Sequence, residues 1–152
     1  MTITLEAIKG EQARIAAMIA EFEKQPAALA FPLSIAFPKL AEGEKLVGFI
    51  ISADGIRKHA MILLPGEAEP AHWKKQIDWA ANHGGVLPDR VESALLFSTM
   101  KDEFKPEWYW TREQRAAYSN YAWVQSFYDG SQSYYDTSSK FRARAVRRLA
   151  IQ

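Results

Sequence analysis

Aromatic residues crowd the last third of this chain around one turn dipeptide, and that arrangement restricts the fold more than any other feature. Trp108-Tyr109-Trp110 is followed by Tyr121-Ala122-Trp123-Val124-Gln125-Ser126-Phe127, then Asp129-Gly130, then a basic run from Phe141 to Leu149. Alternating side chains suit pleated strands, and Asp-Gly suits a tight connection between them. Strands are expected over 108–111, 122–128 and 141–149, with a loop-rich stretch between the last two. Nothing in this region groups like a set of catalytic side chains, so it suggests a binding surface before it suggests an enzyme.

Upstream, residues 4–24 read as a helix. Thr4 can cap it, Glu6 suits the positive end of the helix dipole, and Leu5, Ile8, Ile15, Ile19 and Phe22 form one apolar stripe. Pro26 stops it. The stripe fits either packing on the chain's own domain or a short coiled coil that makes a homo-oligomer. Gln12 at a heptad core position weakens the coiled coil. Pro26, Pro32 and Pro38 punctuate an apolar connector in which Phe31, Leu33, Ile35 and Phe37 alternate, as in a short edge strand. Residues 45–51 and 57–64 flank Ala53-Asp54-Gly55 and predict a hairpin. Pro70 is expected to open a helix running to Asn82 that Gly84-Gly85 ends. Asp89 is placed to cap a further short helix carrying Val91, Ala94, Leu95 and Leu96 inward. Helices and strands are segregated more than alternated, which predicts an α+β fold with antiparallel pairing.

With 152 residues, 48% of them hydrophobic, the chain can bury a core as one domain, 26–152, behind a helical appendage, 1–25. It has no cysteine, which excludes disulfides, zinc–thiolate sites and cysteine nucleophiles. A net charge of +1 gives no overall pull toward nucleic acid or anionic lipid. The N-terminus lacks the basic start and apolar run of a signal peptide, and no apolar run reaches the roughly 20 residues of a membrane span. A soluble cytoplasmic protein is expected.

From Trp79 onward the order of motifs resembles the Lcl C-terminal domain family of bacterial and phage proteins. The matching pieces are Trp79-Ala80, Gly84-Gly85, Leu87-Pro88, Asp89-Arg90-Val91-Glu92 with Leu95-Leu96, Tyr109-Trp110-Thr111, Ala122-Trp123-Val124 through Asp129-Gly130, and Arg144-Ala145-Val146-Arg147. The resemblance implies a fold related to C-type lectins and formylglycine-generating enzymes, here with antiparallel strands and two helices. It also implies the binding of glycans or of host-surface proteins, and inward positions for Trp79, Trp110, Trp123 and Phe127. If the chain is phage-encoded, a virion or a host cell becomes a possible location.

The chemistry is sparse. The oxidase activity of the formylglycine-generating type depends on a cysteine pair, and there is no cysteine. The calcium motifs Glu-Pro-Asn and Trp-Asn-Asp are absent, and His59, His72 and His83 have no ligand-like spacing. No serine sits in a nucleophile elbow and no glycine-rich phosphate loop occurs. We therefore expect no catalysis, no cofactor and no metal. The candidate ligand-binding set is Tyr109, Arg112, Tyr118, Asn120, Tyr121, Tyr128, Tyr134, Tyr135 and Asp136, because tyrosines offer large contact area at low entropic cost. Lys140, Arg142, Arg144, Arg147 and Arg148 put five positive charges in the last thirteen residues. They read either as a solvated edge strand or as a basic patch for an acidic partner or phosphate. The leading expectation is a non-catalytic module that recognises a protein or glycan. One alternative is a small phage-type inhibitor or adaptor acting on an intracellular protein or nucleic-acid complex. Another is a glycan hydrolase using two of Glu107, Glu113 and Asp129. Direct nucleic-acid binding through the arginine strand is a third.

Overall fold

The computed structural model of the protein describes residues 2–24 and 36–151. They fall into two compact units, one within 1–36 and one over 37–152. The first unit holds helix α1, Leu5–Lys24, whose start is capped by the Thr4 hydroxyl accepting from the Ala7 N–H at 3.2 Å. No residue of α1 is buried, and its stripe from Leu5 to Phe22 is exposed. The expected edge strand over 31–37 lies outside the described residues except for its last two, which are not in a strand.

The second unit has the α+β class that the sequence predicts. Strands β1 (Lys45–Ile51), β2 (Lys58–Leu63) and β3 (Ala68–Ala71) precede helices α2 (Trp73–Asn82) and α3 (Arg90–Met100), the latter running into a 3-10 turn at Lys101–Glu103. Strands β4 (Trp108–Arg115), β5 (Tyr118–Ser126), β6 (Gln132–Asp136), β7 (Phe141–Ala143) and β8 (Val146–Ala150) follow. They build a three-stranded sheet, β1-β2-β8, and a five-stranded sheet, β3-β7-β4-β5-β6. All named pairs are antiparallel except a parallel bridge between Tyr109 on β4 and Arg142 on β7.

Adjacent residues of a strand point to opposite faces, and Tyr109 and Trp110 divide the core accordingly. Trp110 joins Ala122, Val124 and Ala143 under α2, where Ala80 is buried and Trp73, Ile77 and Trp79 pack alongside. Tyr109 joins Leu96 of α3 together with Met61, Leu63 and Phe127. Phe104 stacks on Phe127 at 3.8 Å, and Tyr109 meets both rings edge-on at 5.1 and 5.0 Å. Offset and edge-on pairs of this kind contribute about 0.5–1.5 kcal/mol each beyond burial.

The local signals largely fold as the sequence predicts, but on α3 Val91 and Ala94 are exposed instead of inward, and Glu92, Ser93 and Leu96 form the buried side. Asp89 caps α3 by accepting from the Glu92 N–H at 2.9 Å, while Glu92 accepts from the Asp89 N–H at 2.8 Å. Gly85 lies so close to β8 that a Cβ there would fall 2.6 Å from the Val146 carbonyl oxygen. Gly130 takes φ +84° in the β5–β6 turn, where a Cβ would strike the Phe97 ring at 2.5 Å.

Several boundaries differ. Pro70 sits in β3, and His72 caps α2 instead, its Nδ1 accepting from the Lys75 N–H at 3.2 Å. Proline suits β3 because that strand is a sheet edge. β4 and β5 extend well beyond 108–111 and 122–128 toward each other, joined by Ala116-Ala117, so that polar residues 112–115 and 118–121 are strand too. The stretch expected as loop contains β6. The expected strand 141–149 is two strands in different sheets, broken at Arg144-Ala145. No helix among the described residues is long and apolar enough to cross a membrane.

Candidate functional site: an aromatic and guanidinium face on β5 and β6

Strand register decides which aromatic residues meet. β5 and β6 pair without a bulge: Tyr121 opposite Asp136, Trp123 opposite Tyr134, Gln125 opposite Gln132. Tyr109 lies opposite Gln125. Tyr121, Trp123 and Gln125 therefore share the α3 side of the sheet with Tyr134 and Gln132. Beyond the start of α3 this face is open. Tyr118 meets Tyr121 at 6.3 Å, Tyr121 meets Tyr134 at 6.1 Å, and Tyr134 meets Trp123 at 5.3 Å, each edge-to-face. Tyr118 and Tyr134 are exposed, and Tyr121 and Trp123 are half-buried.

Two guanidinium groups lie on these rings. Arg90, the first residue of α3, sits 3.6 Å above the Trp123 ring, and Arg115, the last of β4, lies 3.9 Å from the Tyr134 centroid and 4.9 Å from that of Tyr118. Arg90 is held there. Its Nε donates to Gln132 Oε1 at 3.0 Å, Gln132 Nε2 donates back to the Arg90 carbonyl at 2.8 Å and to Gln125 Oε1 at 2.9 Å, and the Arg90 N–H donates to Glu113 at 2.8 Å. Among the described residues, neither the Arg90 nor the Arg115 guanidinium has a carboxylate within 4.0 Å. The face thus combines open aromatic surface with two positive charges that no side chain among the described residues neutralises.

Of the expected ligand-binding residues, Tyr118, Tyr121 and Tyr134 come together here. Asp136 and Asn120 adjoin them, but the Asp136 carboxylate is engaged by the Ser138 N–H at 2.8 Å and the Ser138 hydroxyl at 2.6 Å, which hold its carboxyl below the usual range. Tyr135 points to the opposite face, against Phe141 at 5.0 Å and Trp108 at 6.0 Å. Tyr128 is exposed past the far end of β5, outside the cluster. Arg112 is exposed and lies 3.8 Å from Asp89. Tyr109 is not a surface residue at all: it is 3% exposed, donates its hydroxyl to Glu67 and accepts from the Lys105 N–H at 3.0 Å. Burial, then the Glu67 hydrogen bond, raise the pKa of its hydroxyl. Trp123, expected inward, stands on the open face because it shares the side of Tyr121 rather than that of buried Val124.

The expected basic patch does not exist as a patch. Arg142 is buried and pairs with Glu107 at 2.6 Å and Glu69 at 3.3 Å. Arg144 donates to the carbonyls of Glu103 at 2.7 Å and Leu64 at 3.1 Å. Arg147 grips Glu44 through two bonds of 2.7 Å. Arg148 donates to Glu92 at 2.5 and 2.7 Å. Glu92 is wholly buried and also takes His59 at 3.0 Å and Arg57 at 3.3 Å. Burial alone pushes its carboxyl up, but Arg148, the Asp89 N–H and His59 outweigh that and hold it at about 2. Arg142 lies on β7, Arg147 and Arg148 on β8 of the other sheet and Arg144 between the two, and their partners are scattered over the second unit.

The three carboxylates considered for glycan hydrolysis are also occupied: Glu107 by Arg142, Glu113 by the Arg90 N–H, and Asp129 by the Ser131 N–H and hydroxyl at 3.0 and 2.7 Å. The Ser131 contacts hold Asp129 at about 2, whereas a general acid needs a raised value. Among the described residues no three His, Asp or Glu side chains gather as a metal site requires. A shallow recess of about 480 Å³ lies between His72, Trp73, Lys74, Gln114, Thr137 and Ser138, and its indole N–H is already donated to the Thr111 carbonyl at 2.8 Å.

Arg90 and Arg115 were not singled out by the sequence. Arg90 looks like an ordinary first-turn residue and Arg115 like part of a loop. Counting register outward from Asp129-Gly130 as a two-residue turn puts Trp123 and Tyr134 on one face but opposes Trp123 to Asp136, two residues from the observed pairing with Tyr134, and the guanidinium placement depends on how α3 and β4 sit on the sheet. No family model matches the chain, and no curated protein matches it either.

Proposed function

We propose that the second unit is a non-catalytic binding module that holds a macromolecular partner, protein or glycan, on the face formed by Tyr118, Tyr121, Trp123 and Tyr134 with Arg90 and Arg115. The observation that carries this reading is a contiguous set of rings on an open face under two guanidinium groups that no carboxylate among the described residues neutralises. Such a surface offers aromatic contact area that needs little ordering, plus charged donors already fixed in place. A purely structural arginine is normally satisfied within its own fold, as Arg142, Arg147 and Arg148 are. The nucleic-acid alternative rested on the terminal arginines, and their pairing removes that support.

The test is a parallel screen of the full chain and its Tyr121→Ala/Tyr134→Ala variant on a glycan array and a displayed peptide library, with circular dichroism to establish that the variant is folded. Ligands retained by the parent and lost by about tenfold or more in the variant support the reading. Ligands held equally by both proteins, or released as chemically altered products, would overturn it.

A further inference from the structure

The sheets have four edges, and three are guarded. β3 carries Pro70 and a register shift. β1 carries Lys45 and a bulge at Gly48. β8 carries Arg147 and Arg148 and is bridged at Val146 by Val86. Proline, bulges and charged side chains are the usual devices that keep an edge from pairing with another chain. β6, Gln132-Ser-Tyr-Tyr-Asp136, has no proline, no lysine or arginine and no register shift, and its one charge, Asp136, stands at its last residue with the carboxylate held by Ser138. Tyrosine-rich sequence makes it a good strand, yet among the described residues it is paired on one side only.

Its unpaired backbone can be located. The Ser126 N–H donates to the Ser131 carbonyl at 2.9 Å, and the Thr137 N–H donates to the Asn120 carbonyl at 2.8 Å. In an antiparallel ladder, bonded and non-bonded pairs alternate. Ser131, Ser133, Tyr135 and Thr137 are therefore directed at β5, and Gln132 and Tyr134 direct both N–H and C=O outward. Among the described residues no group bonds to those outward atoms. The same two residues have their side chains on the face that bears Arg90 and Arg115.

We infer that β6 is a docking edge for an extended acidic peptide segment of a partner protein, which adds to the sheet beside Gln132 and Tyr134 and turns alternate carboxylates toward Arg115 and Arg90. This inference rests on the binding reading above and specifies its partner. Main-chain bonds to an open edge give affinity without sequence preference, and alternate side chains give specificity. A side chain next to Tyr134 on this face comes within reach of the Arg115 guanidinium, which lies 3.9 Å from that ring. A carboxylate there gains a charge-assisted, fork-shaped contact. Pairing between two copies of β6 would instead bring the guanidinium groups of one copy toward those of the other, so charge disfavours a second copy as the occupant.

The experiment selects from a displayed library of random peptides about a dozen residues long on the full chain. The selected peptide is then measured by fluorescence anisotropy against parent, Arg115→Glu and Tyr121→Ala/Tyr134→Ala proteins, and again with single backbone N-methyl groups moved along it. Two results are expected together. Asp or Glu enriches at alternating positions, and N-methylation weakens binding at every second residue, by about tenfold or more. Arg115→Glu weakens the same peptide at least as much. Selected peptides that lack alternating acids, tolerate N-methylation everywhere, or bind Arg115→Glu unchanged would overturn the docking edge, as would a failure to select any peptide. If such peptides, or glycans or single-stranded DNA, are lost on Tyr121→Ala/Tyr134→Ala, the binding face survives while the acidic strand falls. If nothing depends on those tyrosines, both fall.

Discussion

Two groups of arginines meet opposite fates in this protein. Arg142, Arg147 and Arg148 each face a carboxylate, and Arg144 is bound to two carbonyls; together they tie β7 and β8 to distant parts of the second unit. Arg90 and Arg115 lie on aromatic rings at an open face with no carboxylate within 4.0 Å among the described residues. The residue type is the same, and the partner makes the difference. A buried ion pair is costly to break because the surviving charge stays desolvated, whereas a guanidinium on an exposed ring keeps water and costs little to remove. Clustered charge in a sequence is therefore a poor guide to a charged surface. The clustered arginines became internal ties, and two scattered ones became the candidate contact surface.

The contrast can be broken by measurement. The largest effect should come from Glu92→Gln, which strips the carboxylate from Arg148, Arg57 and His59 and should cost about 3–5 kcal/mol in urea denaturation. A loss under about 1 kcal/mol would mean the internal set is no more structural than the open one. The same site sets an acid dependence. Glu92 has its folded pKa held at about 2, below its ordinary 4.5, so its contribution is complete above about pH 4.5 and is lost as the pH falls toward 2. Stability against pH should be flatter over that window in Glu92→Gln than in the parent.

Gly130→Ala comes next. The new Cβ demands a left-handed backbone and meets Phe97, so about 2–4 kcal/mol should be lost, and peptide binding with it, because the turn sets the β5–β6 register. Unchanged binding would show that the face does not depend on that register. Arg115→Ala sharpens the comparison from the other side. It should lower stability by no more than about 1 kcal/mol while weakening a selected ligand by about tenfold. A larger stability loss with intact binding would place Arg115 among the internal ties. Tyr118→Ala, at the outer end of the aromatic row, should change stability by less than about 0.5 kcal/mol and weaken binding least.

Much of the fold was legible. Asp-Gly at 54–55 and 129–130 marked both turns, Asp89 with Glu92 marked the start of α3, and the helical stripe gave α1 to within a residue. β6 was missed because Gln-Ser-Tyr-Tyr-Asp has no apolar alternation: one face packs only at the margin of the core and the other meets solvent. Tyr109 was misplaced because a tyrosine beside two tryptophans gives no sign of which neighbour turns inward. Here both Tyr109 and Trp110 are buried, on opposite faces of one sheet covered by α2 and α3.

The sequence by itself determined the local elements, their capping chemistry and the aromatic supply, because turns, caps and periodicity act over a few neighbouring residues. Tertiary structure decided which charges are internal and which are offered outward. That depends on pairs such as Arg148 with Glu92, Arg147 with Glu44 and Arg90 with Trp123, joined only when sheets and helices close on one another. Long-range pairing sets the local dielectric around each guanidinium, and no short window of sequence carries that information.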